Sequence, residues 1–549
     1  MSASLTLDVP RKAAAASITR LWRVFIAVGL IAVAMPALLV DMPPLLDYPN
    51  HVVRMWLLGG AVNDPILAKM YATDWTAAWT NVGVDLIAQA AGHILPITVV
   101  APILLAIALV MPPLGAILLN QRLYGNFHWW QVVMPLTAFA TPLLGGFLNF
   151  QTGIGLALAF ASLEPWLQKR GSPVQLLIGR MLMASLLLVV HIFAVGFYGL
   201  LLGALALGPN LLALFQRDAF KATLVRLLGV AAGVGAPLLI YRLTAPHLPG
   251  GGGLGQMIWG PTTWRYKTEL LQSAFGTYNL HIDQAFFAVP LVLLVLAAFL
   301  KSLRIHQGLI LCAVFMTVLA MVSPTWAAET GWIDTRMPIM ALLLLMTGVL
   351  PDVARKPRLW VPVATLMLAL VVGRAWWIGD IWIQRQADVR AIERAMSRVP
   401  EGSSVLPIDH LVSVRGKRIA PPGRFFHFGA SYYHQYTLTV MQRKAFSPML
   451  FAMHGKQPIK VLEPYKRISV PNGGRTPTFT TINSPPAKWL NEIAPYIKRW
   501  REDFDYALML NADVLEDVNK ERVPDGMTLI ADEGFARLYK IDRRPAPEL

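Results

Sequence analysis

Apolar runs divide the first 377 residues of this chain, at about 21–40, 96–119, 129–148, 152–167, 174–190, 192–214, 227–244, 286–300, 308–325, 337–350 and 359–377. Many reach the roughly 18 residues that carry an α-helix across a bilayer. In lipid the backbone must satisfy its own hydrogen bonds, and for runs of this kind that means a helix. The sequence therefore predicts an α-helical polytopic membrane protein with about eleven transmembrane helices. Composition agrees, since 55% of the 549 residues are hydrophobic and 15% charged, against roughly a quarter charged in soluble proteins.

The loops set the orientation, because Lys and Arg gather in cytoplasmic loops. Arg122, then Lys169 and Arg170, then Arg217, Lys221 and Arg226 fall in alternate loops. Lys301 with Arg304, then Arg355, Lys356 and Arg358, continue the series. All are cytoplasmic if the N-terminus is inside and eleven spans follow. The joint at 174–214 decides the count: two short spans must meet near His191. Arg11, Lys12 and Arg20 precede the first run, and no A-x-A-like cleavage site follows it. Residues 1–20 are thus read as a cytoplasmic segment before an uncleaved span. The odd count puts the tail, 378–549, outside, together with the long loops 41–95 and 245–285. The tail holds 25 Lys and Arg against 19 Asp and Glu, which leaves +10 of the net +16 to the membrane part. Topology accounts for this charge, and no nucleic-acid partner is expected. The single cysteine, Cys312, excludes a disulfide within the chain.

In the tail, IQRQADVRAIERAMSRV has helical spacing, EGSSVLPID reads as a turn and a strand, and FDYALML and MTLIADEGFARLYKI alternate like strands around an EG turn. A C-terminal extracytoplasmic mixed α/β domain is predicted. The aromatic stretch RFFHFGASYYHQY (424–436) suits either a buried strand or a sugar-stacking surface. The Gly250–Gly253 run lacks the Gly-Lys-Ser/Thr of a phosphate loop and reads as a flexible loop.

VDMPPLLDYPNHVVRMW (40–56) puts many polar groups at the lip of the first span. Asp47, Asn50, His51 and Arg54 fall at i, i+3, i+4 and i+7, one stripe of a helix. Val52, Val53, Trp56 and Leu57 cover the other side. This predicts an amphipathic helix lying in the interface, with Asp47 as N-cap and Pro49 in its first turn. The stripe then either caps and meets water or faces a substrate. His191 and Arg336 stand at outer span ends, where ionisable groups mark a cavity or snorkel to the interface. Asn149 and Gln151, at the outer turn between the third and fourth runs, either bind sugar or serve the turn.

A carboxylate just after the first span, on a short helix in a large first external loop, resembles the GT-C superfamily of membrane glycosyltransferases. So does a helical core followed by an external α/β tail. The family's acidic motif is a close pair, or "DE" followed by an aromatic or His; here Asp41 and Asp47 have five residues between them, and DYPNH takes that place. LLLVVHIFAVGFYGLL, with His191, and DTRMPIMALLLL, with Arg336, are similar to two further family patterns. The chain resembles GT-C-like bacterial membrane proteins more than the arabinose or mannose transferases. The resemblance implies a sugar donor linked to polyprenyl phosphate and a glycan, lipid or protein acceptor. It also implies a site on the outer face of a bacterial cytoplasmic (inner) membrane.

Such a transfer needs a base for the acceptor hydroxyl and cations for the departing phosphate. Asp47 is the candidate base, and Asp41 positions it or binds a metal. Arg54, His191 and Arg336 are the candidate phosphate groups, and Asn50 and His51 complete the substrate-binding set. Two carboxylates do not define a metal site, so Mg2+ or Mn2+ stays open. A different class, a transporter or a non-catalytic component of a cell-envelope polysaccharide system, is weighed against this. No internal repeat is evident, and mid-span acids are scarce.

Overall fold

The computed structural model describes residues 8–246, 257–328, 330–351, 360–410, 413–414, 417–418, 420–484, 494–514 and 521–543. The Gly250–Gly253 run and the Arg355, Lys356 and Arg358 cluster lie outside these residues.

Helix α1 (Asp8–Leu38) carries the first apolar run, and α2 (Tyr48–Leu58) and α3 (Gly83–Gly92) lie in the first loop. The bundle continues with α4 (Ile97–Tyr124), the short α5 (Thr141–Leu144), α6 (Leu148–Arg170), α7 (Pro173–Val190), α8 (Ile192–Leu207) and α9 (Arg217–Thr244). Then come α10 (Trp264–Leu271), α11 (Leu280–Phe299), α12 (Gln307–Val322), α13 (Ile333–Gly348) and α14 (Trp360–Gln384). Six helical stretches are long and apolar enough to cross a membrane: 17–38, 97–124, 173–190, 217–244, 280–299 and 360–396. Large apolar side chains on them are exposed, among them Ile31, Leu182, Leu186, Leu239, Val292 and Val295. A water-soluble fold would bury such rows, whereas lipid solvates them. The architecture is that of a helical membrane protein with a sheet-containing C-terminal region.

Small residues let the helices close. A Cβ on Gly115 of α4 would sit 2.3 Å from the Gly155 carbonyl oxygen of α6, a contact only glycine permits. α7 and α8 are separate helices broken at His191, as the sequence predicts. The 129–148 run is not the predicted helix. It forms a ten-residue 3₁₀ segment, Trp129–Ala138, then α5, then the turn at Gly145–Gly146. Pro135 lies inside it and nearly every residue is buried. Irregular backbone at membrane depth is tolerated only where protein covers it and satisfies its polar groups. Arg374 of α14 does part of this, donating to the Leu136 carbonyl at 2.5 Å while pairing with the buried Asp283 of α11 at 2.8 Å. A second buried pair, Glu164 with Arg180, joins α6 to α7.

The predicted boundary at 377/378 falls inside α14. Helix α15 (Gln386–Met396) follows almost at once and begins the tail domain. Strands Met527–Asp532, Ala536–Ile541, Tyr506–Leu510 and Val405–Asp409 form one sheet in that order. The first two pairings are antiparallel and the last is parallel, with Tyr506 opposite Val405. The EG turn between the last two strands in sequence is present, with Gly534 at φ +73°. RFFHFGASYYHQY is not a core strand. It forms a two-residue hairpin, Phe425–Phe426 with Gly429–Ala430, and then a 3₁₀ turn. The tail docks on the first loop, where Tyr71–Thr73 pairs antiparallel with Ile459–Val461. It also meets the 257–285 segment, His427 N donating to the Thr277 carbonyl at 2.9 Å.

Candidate functional site

Asp47 is strapped to the turn that ends the irregular segment. Leu46 N donates to Leu144 O at 2.9 Å, and Asp47 N to Gly145 O at 3.2 Å. Gly146 sits at φ +84°, and a Cβ there would meet Asp47 N at 2.8 Å and Asp47 Cβ at 2.9 Å. The turn therefore needs glycine both for its backbone and for the approach to Asp47. Asp47 holds the N-cap position of α2, with Pro49 in the first turn, but its side chain makes no capping bond. The carboxylate lines a cavity instead.

The stripe on α2 is helical as predicted, but α2 is not an interfacial helix with a wet face. Asn50, His51 and Arg54 are all buried, because the tail and α3 cover them. Asn50 uses its amide to clamp the tail: Nδ2 donates to Met449 O at 3.0 Å, and Oδ1 accepts from Phe451 N at 2.7 Å. Arg54 forms a two-pronged pair with Asp85 of α3, at 2.7 and 3.1 Å, and reaches His51 Nδ1 at 2.7 Å. Its charge is matched inside the protein. Of this stripe, Asp47 and His51 line the cavity.

The cavity measures about 1280 Å³, above the roughly 300–1,000 Å³ of ordinary small-molecule pockets. Its walls come from the first loop, the Phe147–Asn149 and His191–Phe193 turns, the end of α9, residues within 326–328 and 330–336, and the tail. Among the described residues, the cations Arg242, Arg336, Lys456 and Arg475 line it together with one carboxylate, Asp47. Arg336 lies within an aromatic cage, its guanidinium 4.3 Å from the Phe147 ring centre and 5.1 Å from that of Phe193. It contacts His191 Nε2 at 3.2 Å, and its buried Nε has no partner among the described residues. His191 Nδ1 accepts from Phe193 N and so caps α8. Lys456 of the tail enters the same region, donating to Thr330 Oγ1 at 3.2 Å.

The remaining candidates divide. Asn149 lines the cavity, but its side chain is bound to Val84 N at 2.8 Å and Asn81 O at 2.8 Å, a lock between α6 and the first loop. Gln151 is buried in the first turn of α6 and does not line the cavity. Asp41 is exposed and faces Glu393 of the tail, so it neither joins Asp47 in the cavity nor positions it.

The tail brings what the sequence reading did not single out. His434 Nε2 lies 3.4 Å from Asp47 Oδ1. The Phe451 ring packs edge-on against His434, with centres 4.9 Å apart. Burial pushes His434 down to about 3, so the contact is between a neutral imidazole and the carboxyl, not an ion pair. His51 is likewise held well below its ordinary range by burial and by the Arg54 charge. Burial pushes Asp47 up to about 7, against the opposing pull of Arg336 and Arg54. A carboxyl poised near neutrality within a cationic cavity fits proton transfer.

Among the described residues no group of three or more His, Cys, Asp or Glu is placed to hold a metal. His434 stands 3.4 Å from Asp47 and Asp41 lies elsewhere, so among the described residues Asp47 has no second carboxylate beside it with which to hold a divalent ion through oxygens. No family model and no curated protein matches the chain.

Proposed function

We propose that the chain is a membrane glycosyltransferase of the GT-C type, which moves a sugar from a polyprenyl-phosphate donor to an acceptor hydroxyl. The observation that carries this reading is Asp47, the one carboxylate among the described residues that line a large cavity, set there with Arg242, Arg336, Lys456 and Arg475. Asp47 takes the acceptor proton as the acceptor oxygen bonds to the anomeric carbon. The bond from that carbon to the phosphate oxygen breaks, and its electron pair leaves with the phosphate. Arg336 and Lys456 neutralise the departing anion, with Arg336 Nε a buried donor that has no partner among the described residues. The tail-bound Asn50 and the Asp85-bound Arg54 hold the frame and do not touch the donor. No step runs through a metal.

The reading includes eleven crossings in an inner membrane, with the N-terminus inside and the tail and cavity outside. Two features support it. Helix ends meet alternately at the cavity and at the far end, where Tyr124 Oη donates to Gly348 O at 2.6 Å and Leu211 N to Gln307 Oε1 at 2.8 Å. The exposed cations Arg122, Arg170 and Arg217, at helix ends, and Arg304, in the short strand Leu303–Ile305 between α11 and α12, lie away from the cavity, as cytoplasmic loops require.

The test is purified protein with a polyprenyl-phosphate sugar. Release of free polyprenyl phosphate that depends on an added acceptor supports the transferase. Movement of the intact sugar lipid across proteoliposomes without bond cleavage supports a transporter.

A further inference from the structure

We infer that His434, supplied by the tail, is a positioning residue for Asp47: its Nε2–H hydrogen-bonds Asp47 Oδ1 in the working protein and leaves the other carboxylate oxygen turned to the cavity. The inference rests on the reading of Asp47 as the base. The two atoms already stand 3.4 Å apart, and such contacts commonly tighten only when substrate closes the site. The ring has little freedom to lie elsewhere. Phe451 packs on one side, Tyr433 meets it edge-on at 5.1 Å, and Gly473, at φ +90°, comes so close that a Cβ there would stand 2.6 Å from His434 Cε1. The clamp reaches back to α2, because Asn50 fixes the Phe451 backbone.

Among the described residues, the charged and titratable groups that act on Asp47 are Arg336 from α13, Arg54 from α2 and His434 from the tail; His51 of α2 lines the same cavity. A change confined to His434 leaves both arginines in place across the working pH range and so isolates its own effect. His434 is neutral there, and a neutral imidazole donates through only one nitrogen. A donor to the ionised form of a carboxylic acid favours that form.

The experiment reads the protonation of Asp47 without any reaction. Infrared difference titration of the full chain, with Asp47→Asn as the blank, gives the midpoint of the Asp47 carboxyl. His434→Ala is expected to raise that midpoint by about one pH unit, the lower end of what a lost favourable partner does. His434→Gln keeps a neutral N–H donor and is expected to stay near the parent value. Should the space left by alanine unsettle the tail, His434→Leu fills it without a donor and makes the same comparison. An unchanged midpoint in both donor-less variants, or an equal rise in His434→Gln, overturns the pairing and leaves His434 as packing. The shifted midpoint without any glycosyl transfer sinks the transferase reading and leaves the pairing standing.

Discussion

Arg54 and Arg336 carry the same expected role in the sequence and stand in different surroundings. Arg54 is paired with Asp85 at 2.7 Å on α3, and both are almost fully buried. Arg336 has aromatic neighbours and a histidine contact, and no carboxylate pair among the described residues. Arg54→Ala therefore strands a buried carboxylate and should cost about 3–5 kcal/mol of stability, the scale for breaking a buried pair. Thermal unfolding checks it, and an Arg54→Ala protein of parent stability but weak donor use contradicts the assignment. Asp47 gives a pH prediction. Burial raises its folded value to about 7, above the ordinary 3.8 of an aspartate, so the native state favours the protonated form. The stability this contributes is full below pH 3.8 and is lost as pH rises through about 7. Turnover should run the other way, rising through the same range as the base ionises. Asp47→Asn should raise the melting temperature at pH 8, leave it nearly unchanged at pH 4, and cut turnover by roughly 10²-fold or more. Asp47, His51, His191 and Arg336 were legible because polar groups at span ends stand out against apolar runs. His434 and Lys456 were not, because they reach the cavity from a tail almost 400 residues beyond Asp47, where a His or Lys is unremarkable.

Run length identified most of the bundle helices because lipid-facing helices need little else. It failed at 129–148, where the run is long enough but the chain is 3₁₀ and broken. Pro135, Pro142 and Gly145–Gly146 were the signals: prolines remove ladder donors and the glycines allow the turn. What makes the irregular path tolerable, Arg374 and Asp283 from α14 and α11, lies far away in sequence. The helical spacing of α2 was correct, but its environment was not. Periodicity reports which residues share a face and says nothing about whether water or another domain covers it. The turn at Gly146 is the element on which Asp47 depends. Gly146→Ala places a Cβ 2.7 and 2.8 Å from the backbone nitrogens of Tyr48 and Asp47 at a positive φ. It should abolish turnover while the bundle helices, read by circular dichroism, persist. A fully active Gly146→Ala protein contradicts the account of how Asp47 is held.

At the scale of the molecule, the cavity belongs to neither half alone. The first loop gives Asp47 and His51, the bundle gives His191 and Arg336, and the tail gives His434 and Lys456. The mixed sheet of the tail was legible from its alternating strands. Its docking was not, since the pairing of Tyr71–Thr73 with Ile459–Val461 rests on two three-residue strands with no pattern of their own. Asn50→Ala removes both bonds to the Met449 and Phe451 backbone. Limited proteolysis should then release the tail at lower temperature than in the parent, and unchanged protection contradicts the clamp. Orientation has its own check: a reporter active only outside the cytoplasm should work when fused after Leu549 and fail after Arg226. Activity at Arg226 breaks the eleven-crossing arrangement. The central claim is that Asp47 is the base of a transfer from a lipid phosphate. Its most direct measurement is acceptor-dependent release of polyprenyl phosphate by the parent and by Asp47→Asn, side by side at pH 8. The account predicts release by the parent and at least a roughly 10²-fold loss in a folded Asp47→Asn protein. Equal release by the two contradicts it.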